Sequence, residues 1–118
     1  MTDTSTKGIK TLLCPVSDVP RAKALYTALL GMAPTADSAY YVGFDAPGQH
    51  VGLLPGGGPQ GLQAPTPFWE VDDIEAKLAE LLAAGAVVTE AAHEVGGGRV
   101  VASVTDADGN VLGLLQDP

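Results

Sequence analysis

The chain has 118 residues, 46% hydrophobic and 17% charged, which is enough apolar content to fold as one domain and too much for an intrinsically disordered chain. Fourteen acidic residues against six basic ones leave a formal charge of -8; such a surface repels phosphate backbones and anionic lipid, so neither nucleic acid nor membrane is expected as a partner. The imbalance is local, because residues 1 to 59 hold four acids and four bases while residues 60 to 118 hold ten acids and two bases. A lone Cys14 cannot close an internal disulfide, and no apolar run reaches the roughly 18 residues of a membrane span. The polar start, Met1 to Lys7, lacks a secretory hydrophobic stretch, so a cytoplasmic protein is expected.

In chain order, Ile9 to Val16 is a β-branched and leucine-rich run that ends before turn residues, as a buried strand does. Asp18 is placed to cap a helix that carries Pro20 in its first turn, where the missing N–H costs little. Ala22, Leu25, Tyr26 and Leu29 follow at helical spacing and predict the buried stripe, with Gly31 as the stop. Tyr40 to Asp45 and His50 to Leu54 are short strands separated by the turn-forming Ala46-Pro47-Gly48. Pro55 to Pro65, rich in glycine and proline, behaves as a linker.

The order then repeats. Thr66 to Val71 is a strand, Asp72 or Asp73 caps a helix with Glu75 in its first turn, Ile74, Leu78, Leu81 and Leu82 form its stripe, and Gly85 ends it. Ala86 to Thr89, Arg99 to Thr105 and Val111 to Leu115 are strands, the last two joined by Asp106-Ala107-Asp108-Gly109-Asn110, a hairpin turn. Val16-Ser17-Asp18-Val19 thus recurs as Val71-Asp72-Asp73-Ile74, and two copies are too few for a solenoid. The prediction is an α+β fold of two βαβββ modules, residues 8–55 and 66–116, joined by a linker at 56–65.

The stretch Val16 to Ala22 with Tyr26 and Leu30-Gly31, and the Asp106 to Asn110 turn, are similar in order and spacing to the vicinal oxygen chelate superfamily, which includes glyoxalase I, extradiol dioxygenases and bleomycin resistance proteins. The resemblance spans Ile9 to Leu115. It implies curved mixed sheets around a cleft, often completed by a homodimer, and in the metal-dependent members four ligands on the first and last strands of the two modules. The matching first-strand positions are Thr11 and Thr66, and the last-strand positions are about Leu53 and Gly113, with Gly52 the alternative on a one-residue slip. Hydroxyl, alkyl and glycine offer none of the nitrogen or carboxylate donors that transition metals require, so no metal and no cofactor is expected.

Strand alternation sends Leu13 to the same face as Thr11, and Phe68 and Glu70 to the same face as Thr66, while Leu12, Cys14 and Val16 turn to the helix. Of the adjacent tyrosines, Tyr41 is assigned to the cleft. His50 opens the last strand of its module, and Ser103 shares a face with Arg99, whose alternative is a pairing with a surface acid. Glu70 is either a cleft carboxylate or a strand-end carboxylate that reaches solvent. Trp69 falls on the opposite face as core or as a dimer seam. Gly56-Gly57-Gly58-Pro59-Gln60-Gly61 spells a dinucleotide loop but opens no helix, the Asp106 turn lacks the terminal glutamate of a calcium loop, and no nucleophile elbow is present.

These residues describe a protein that binds or sequesters a small, drug-like molecule as a homodimer, in the manner of bleomycin resistance proteins, with Glu70 favouring a cationic group on the ligand. The ligand set is Thr11, Leu13, Tyr41, His50, Leu53, Thr66, Phe68, Glu70, Ser103 and Gly113, with no catalytic residue assigned. The alternative is a metal-independent, glyoxalase-like lyase or isomerase with Glu70 or His50 as general base.

Overall fold

The structure, a computed structural model, describes residues 5–118. Two compact units divide them: residues 10–66, and residues 5–9 with 67–118. The first unit takes β1 (Ile9–Val16), α1 (Val19–Leu30), β2 (Ala36–Asp37), β3 (Val42–Ala46) and β4 (Gln49–Pro55), with strand order β2-β3-β4-β1. The second takes β5 (Thr66–Glu70), α2 (Ile74–Ala83), β6 (Val87–Gly96), β7 (Arg99–Thr105) and β8 (Val111–Gln116), with strand order β5-β8-β7-β6. In each unit the first strand lies parallel to the last and the remaining pairs are antiparallel. The fold class is therefore α+β with a mixed sheet in each unit, as the repeat predicts.

Local chemistry starts and stops the helices where the sequence indicates. The Asp18 carboxylate accepts from the Arg21 amide at 3.1 Å, and Gly31 ends α1 in the left-handed conformation at φ 69°, which glycine adopts without steric cost. Asp73, not Asp72, caps α2, accepting from the Ala76 amide at 3.1 Å. Gln116 reaches from β8 to accept from the Ile74 amide at 2.7 Å, which satisfies another amide of the first turn.

One face of each sheet packs on its helix. Cys14, Val42, Phe44 and Leu53 form the core of the first unit, with Leu12, Val16, Val19, Ala22, Tyr26 and Leu30 against them. Val71, Ile74, Leu78, Ala102, Val104 and Leu114 form that of the second, with Trp69 packed on it. The Cys14 thiol is buried, and its hydrogen bond with the Tyr26 phenol, together with burial, raises the tyrosine's pKa.

Three expectations change. Leu25 and Leu29 are 66% and 73% exposed, so the sheet-facing stripe of α1 is the partly buried Val19, Ala22, Tyr26 and Leu30. Apolar residues occupy two faces of this helix, and spacing alone does not say which faces the sheet. Leu82 is likewise exposed on α2. Strand β6 continues past Thr89 to Gly96, with register shifts against β7; it forms the end of its unit's strand order, where such irregularity is tolerated. Among the described residues no helix is long and apolar enough to cross a membrane.

The β7–β8 turn is held by one carboxylate. Asp106 accepts from the backbone amides of Asp108 and Asn110, each at 2.9 Å, and from the Asn110 side-chain amide at 3.0 Å. The Asn110 bonds, foremost among these, hold the Asp106 carboxyl below its ordinary pKa. A lowered folded-state pKa adds stability that is present above the unfolded value and lost as pH falls through the folded one. Replacing Asp106 by Ala should therefore remove a stability increment measured at neutral pH and leave little difference from the parent chain well below pH of about 3.9, as followed by urea unfolding at both pH values.

Candidate functional site

The face of each sheet turned away from its helix carries most of the predicted site residues. In the first unit Thr11 pairs with His50 and Leu13 with Gly52 across β1 and β4, while Gly43 pairs with Gly52 and Asp45 with His50 across β3 and β4. Thr11, Leu13, Tyr41 and His50 thus come together on this helix-free face. Leu53 does not. It pairs with Cys14, is fully buried and belongs to the helix-side core, so the last-strand position of this unit is Gly52. A one-residue shift along a strand reverses the face, and the even run Val51-Gly52-Leu53-Leu54 carries no alternation to fix it.

Glycine at 52 makes room for an aromatic ring. A Cβ at that position would collide with the Tyr41 hydroxyl and lie 2.8 Å from Leu13 Cδ2, and one at Gly43 would lie 2.8 Å from both the Tyr41 ring and His50 Cε1. Tyr41 and His50 lie side by side with ring centroids 5.9 Å apart and planes 9° from parallel. The Tyr41 hydroxyl is hydrogen-bonded to His50 Nε2, and His50 Nδ1 is 2.6 Å from Asp45 Oδ1. The hydroxyl of Thr11, a residue only 5% exposed, has no hydrogen-bond partner among the described residues.

In the second unit Phe68, Gly113 and Ser103 lie in register across β5, β8 and β7, with Glu70 two residues beyond Phe68 on the same face. A Cβ at Gly113 would lie 2.5 Å from the Phe68 ring, the same substitution of ring for side chain as at Gly52. Ser103 is satisfied by the Thr89 hydroxyl at 2.8 Å. Arg99 makes a two-pronged pair with Asp117 at 2.6 and 3.1 Å, which is the surface-acid alternative. Glu70 is partly buried. Nearby, Lys7 pairs with Asp72 at 2.9 Å, and that bond, followed by the charges of Asp72 and Glu70, raises the lysine's pKa. Thr66, the first residue of β5, donates its hydroxyl to the Ala64 carbonyl at 3.0 Å.

A separate depression of about 450 Å3 opens on the helix side of the first unit, lined by Pro15, Val16, Asp18, Arg21, Leu25 and Tyr26 among others, and it includes none of the predicted site residues. Asp45 is the member of the hydrogen-bonded group with His50 and Tyr41 that sequence alone does not single out. Its signal is the Pro47-Gly48 turn, because a two-residue connection places Asp45 opposite His50.

Residues 8–114 match the Glyoxalase/Bleomycin resistance protein/Dioxygenase superfamily. The chain belongs to that superfamily. Solved structures agree at the level of the fold. Methylmalonyl-CoA epimerase from Mycobacterium tuberculosis is similar over 100% of this chain and 93% of its own, with a TM-score of 0.76 and 16% identity. The Mn(II)-bound glyoxalase from Novosphingobium aromaticivorans is similar over 98% of this chain and 40% of its own, at 0.76 and 20%. A superfamily member from Vibrio splendidus gives 0.70 and 17%, covering 97% of this chain and 100% of its own. No curated protein matches the sequence. At Thr11, Gly52, Thr66 and Gly113 the chain carries two neutral hydroxyls, one of them committed to a carbonyl, and two glycines whose side-chain space holds a ring. Among the described residues no three His, Cys, Asp or Glu side chains gather as a metal-binding group.

Two substitutions test this packing. Gly113→Ala should destabilise the protein by about 1–3 kcal/mol through overpacking against Phe68. Thr11→Val, which removes a buried hydroxyl without a partner, should stabilise it by about 1 kcal/mol; destabilisation instead would mean that the hydroxyl finds a partner in solution. Both are read from denaturant midpoints at constant slope.

Proposed function

We propose that this superfamily member works without a metal and binds a small, drug-like molecule, sequestering it on the helix-free faces of its sheets. The supporting observation is that aromatic rings occupy the space in front of Gly52 and Gly113, two positions at which the resemblance to metal-dependent members implies donors. Pockets for organic ligands are mostly apolar walls with a few placed polar groups. In the first unit Leu13 and Tyr41 supply the wall and His50 the polar point; in the second Phe68 supplies the wall and Ser103 and Glu70 the polar points. Net charge and Glu70 favour a cationic group, although Lys7, shared between Asp72 and Glu70, tempers that preference. The working form is a homodimer in the cytoplasm, for which Leu25 and Leu29 offer an uncovered apolar strip, and the physiological outcome is antibiotic resistance by sequestration.

The test is a thermal-shift titration with matched cationic, neutral and carboxylate aromatic compounds. Cationic members should raise Tm most and carboxylates least, and Phe68→Ala should weaken binding by about tenfold, the equivalent of roughly 1.4 kcal/mol. Dimer formation should make Tm depend on chain concentration. A chelator-reversible rise in Tm with stoichiometric Mn(II), Ni(II) or Zn(II) would defeat the metal-free reading.

A second reading, a metal-independent lyase or isomerase, is favoured by one feature: His50 is oriented by Asp45 and bonded to Tyr41. Glu70 has no comparable arrangement among the described residues, so the base in that reading is His50 acting through Tyr41. Turnover of a carbonyl substrate in chelator, abolished by His50→Gln, is its signature.

A further inference from the structure

Three side chains of the first unit form a linear chain that simple ligand binding does not require. Asp45 Oδ1 lies 2.6 Å from His50 Nδ1, and His50 Nε2 is bonded to the Tyr41 hydroxyl. Asp45 is itself positioned: the Thr35 hydroxyl lies 2.9 Å from Asp45 Oδ2 and 3.2 Å from the Gly43 carbonyl, with the carboxylate the nearer acceptor, and the Thr35 amide donates to that carbonyl at 2.8 Å. An ionised carboxylate only accepts, so the network assigns the imidazole proton to Nδ1. Nε2 then presents a lone pair, and the phenol donates to it. That polarity is the one in which an oriented base activates a hydroxyl nucleophile. The bare backbone at Gly43 and Gly52 lets both rings lie flat together, because a Cβ at Gly43 would meet both of them at 2.8 Å.

We infer that Tyr41 Oη is a nucleophile toward small activated acyl compounds, with His50 as its base and Asp45 as the positioning residue. In the first step the phenol oxygen bonds to the acyl carbon and its proton passes to His50 Nε2, the imidazolium being stabilised by Asp45. The leaving alkoxide or phenoxide departs with the bonding electron pair and takes that proton. Water then attacks the acyl-tyrosine with His50 accepting its proton, releasing the carboxylic acid and restoring the phenol. This activity is independent of the ligand-sequestering reading, and either can fail alone.

The neighbouring residue supplies an internal reference: Tyr40 is 83% exposed, and its phenol has no such chain among the described residues. The experiment treats the intact protein with p-nitrophenyl acetate, quenches in acid at short times and locates acetyl groups by peptide mass spectrometry. Tyr41 should be acetylated about 10²-fold faster than Tyr40, the lower end of what a positioned base contributes. His50→Gln and Gly43→Ala should bring Tyr41 down to the Tyr40 rate. Asp45→Asn should also slow Tyr41. Its amide can donate to Nδ1 and move the imidazole proton to Nε2, a tautomer change visible in the ¹⁵N spectrum and not produced by loosened packing alone. Equal rates for Tyr41 and Tyr40 in the parent protein, which need no variant to measure, overturn the inference. So does Tyr41 labelling that survives His50→Gln, or acetylation confined to lysines and His93.

Discussion

The helix-free faces depend on missing Cβ atoms. At Gly52 and Gly113 the backbone of a last strand is covered directly by a ring, Tyr41 in one unit and Phe68 in the other. Glycine inside a strand costs roughly 0.5–1 kcal/mol relative to alanine, whereas burying a phenylalanine contributes about 1.5–3 kcal/mol. At the buried Phe68 the exchange therefore favours the ring. It also excludes a donor side chain from the same position, since ring and side chain would need one volume. The two units reach this arrangement from different elements: Tyr41 immediately precedes β3, while Phe68 lies on the first strand of its own repeat. A common backbone path thus leaves the same vacancy in both repeats, and the sequence fills it from whichever direction the local chain allows.

The Asp45–His50–Tyr41 chain rests on the same vacancy, but its energetics differ. The Asp45 side chain is 65% exposed and that of His50 21% exposed. A hydrogen bond to a charged group contributes about 1.5–3 kcal/mol at best, less where one partner is solvent-exposed, and ordering a side chain costs up to roughly 1.5–2 kcal/mol. Stability therefore gives little reason for the network. What it supplies is orientation, fixing which imidazole nitrogen carries the proton and where the phenol points, an arrangement suited to chemistry more than to folding.

Most of the architecture was legible because it is written in local signals: caps at Asp18 and Asp73, stops at Gly31 and Gly85, and the repeated strand–helix order. The face of β1 was legible as well, since Thr11, Leu13 and Cys14 alternate from a motif-defined start. Errors arose where local signals were degenerate. In Val51 to Leu54 the apolar residues stand next to one another, so Leu53 took the place that belongs to Gly52. In α1 the apolar residues wrap the helix, so spacing points Leu25 and Leu29 inward although both are exposed. Asp45 is hard to place from sequence because its partner is set by the turn: Pro47-Gly48 as the connection pairs it with His50, whereas a three-residue turn, Ala46-Pro47-Gly48, sets it opposite Gln49. The role of the glycines was beyond sequence reasoning, because glycine identifies an opening in the backbone and never says which ring enters it.

Charge separates the two proposed activities. The unit of residues 67–118 with 5–9 holds ten acids against three bases, whereas residues 10–66 hold three of each. Lys7, Lys77 and Arg99, the three bases of the acidic unit, are each engaged with an acid, so the unpaired remainder of that unit is negative and its field attracts cations. Acyl transfer has the opposite requirement, because negative charge develops on the acyl oxygen as the phenol attacks. A neutral unit opposes that development less than an acidic one would. The Tyr41 chain stands in the neutral unit and Glu70 in the acidic one, so each group has the electrostatic surroundings that its chemistry needs.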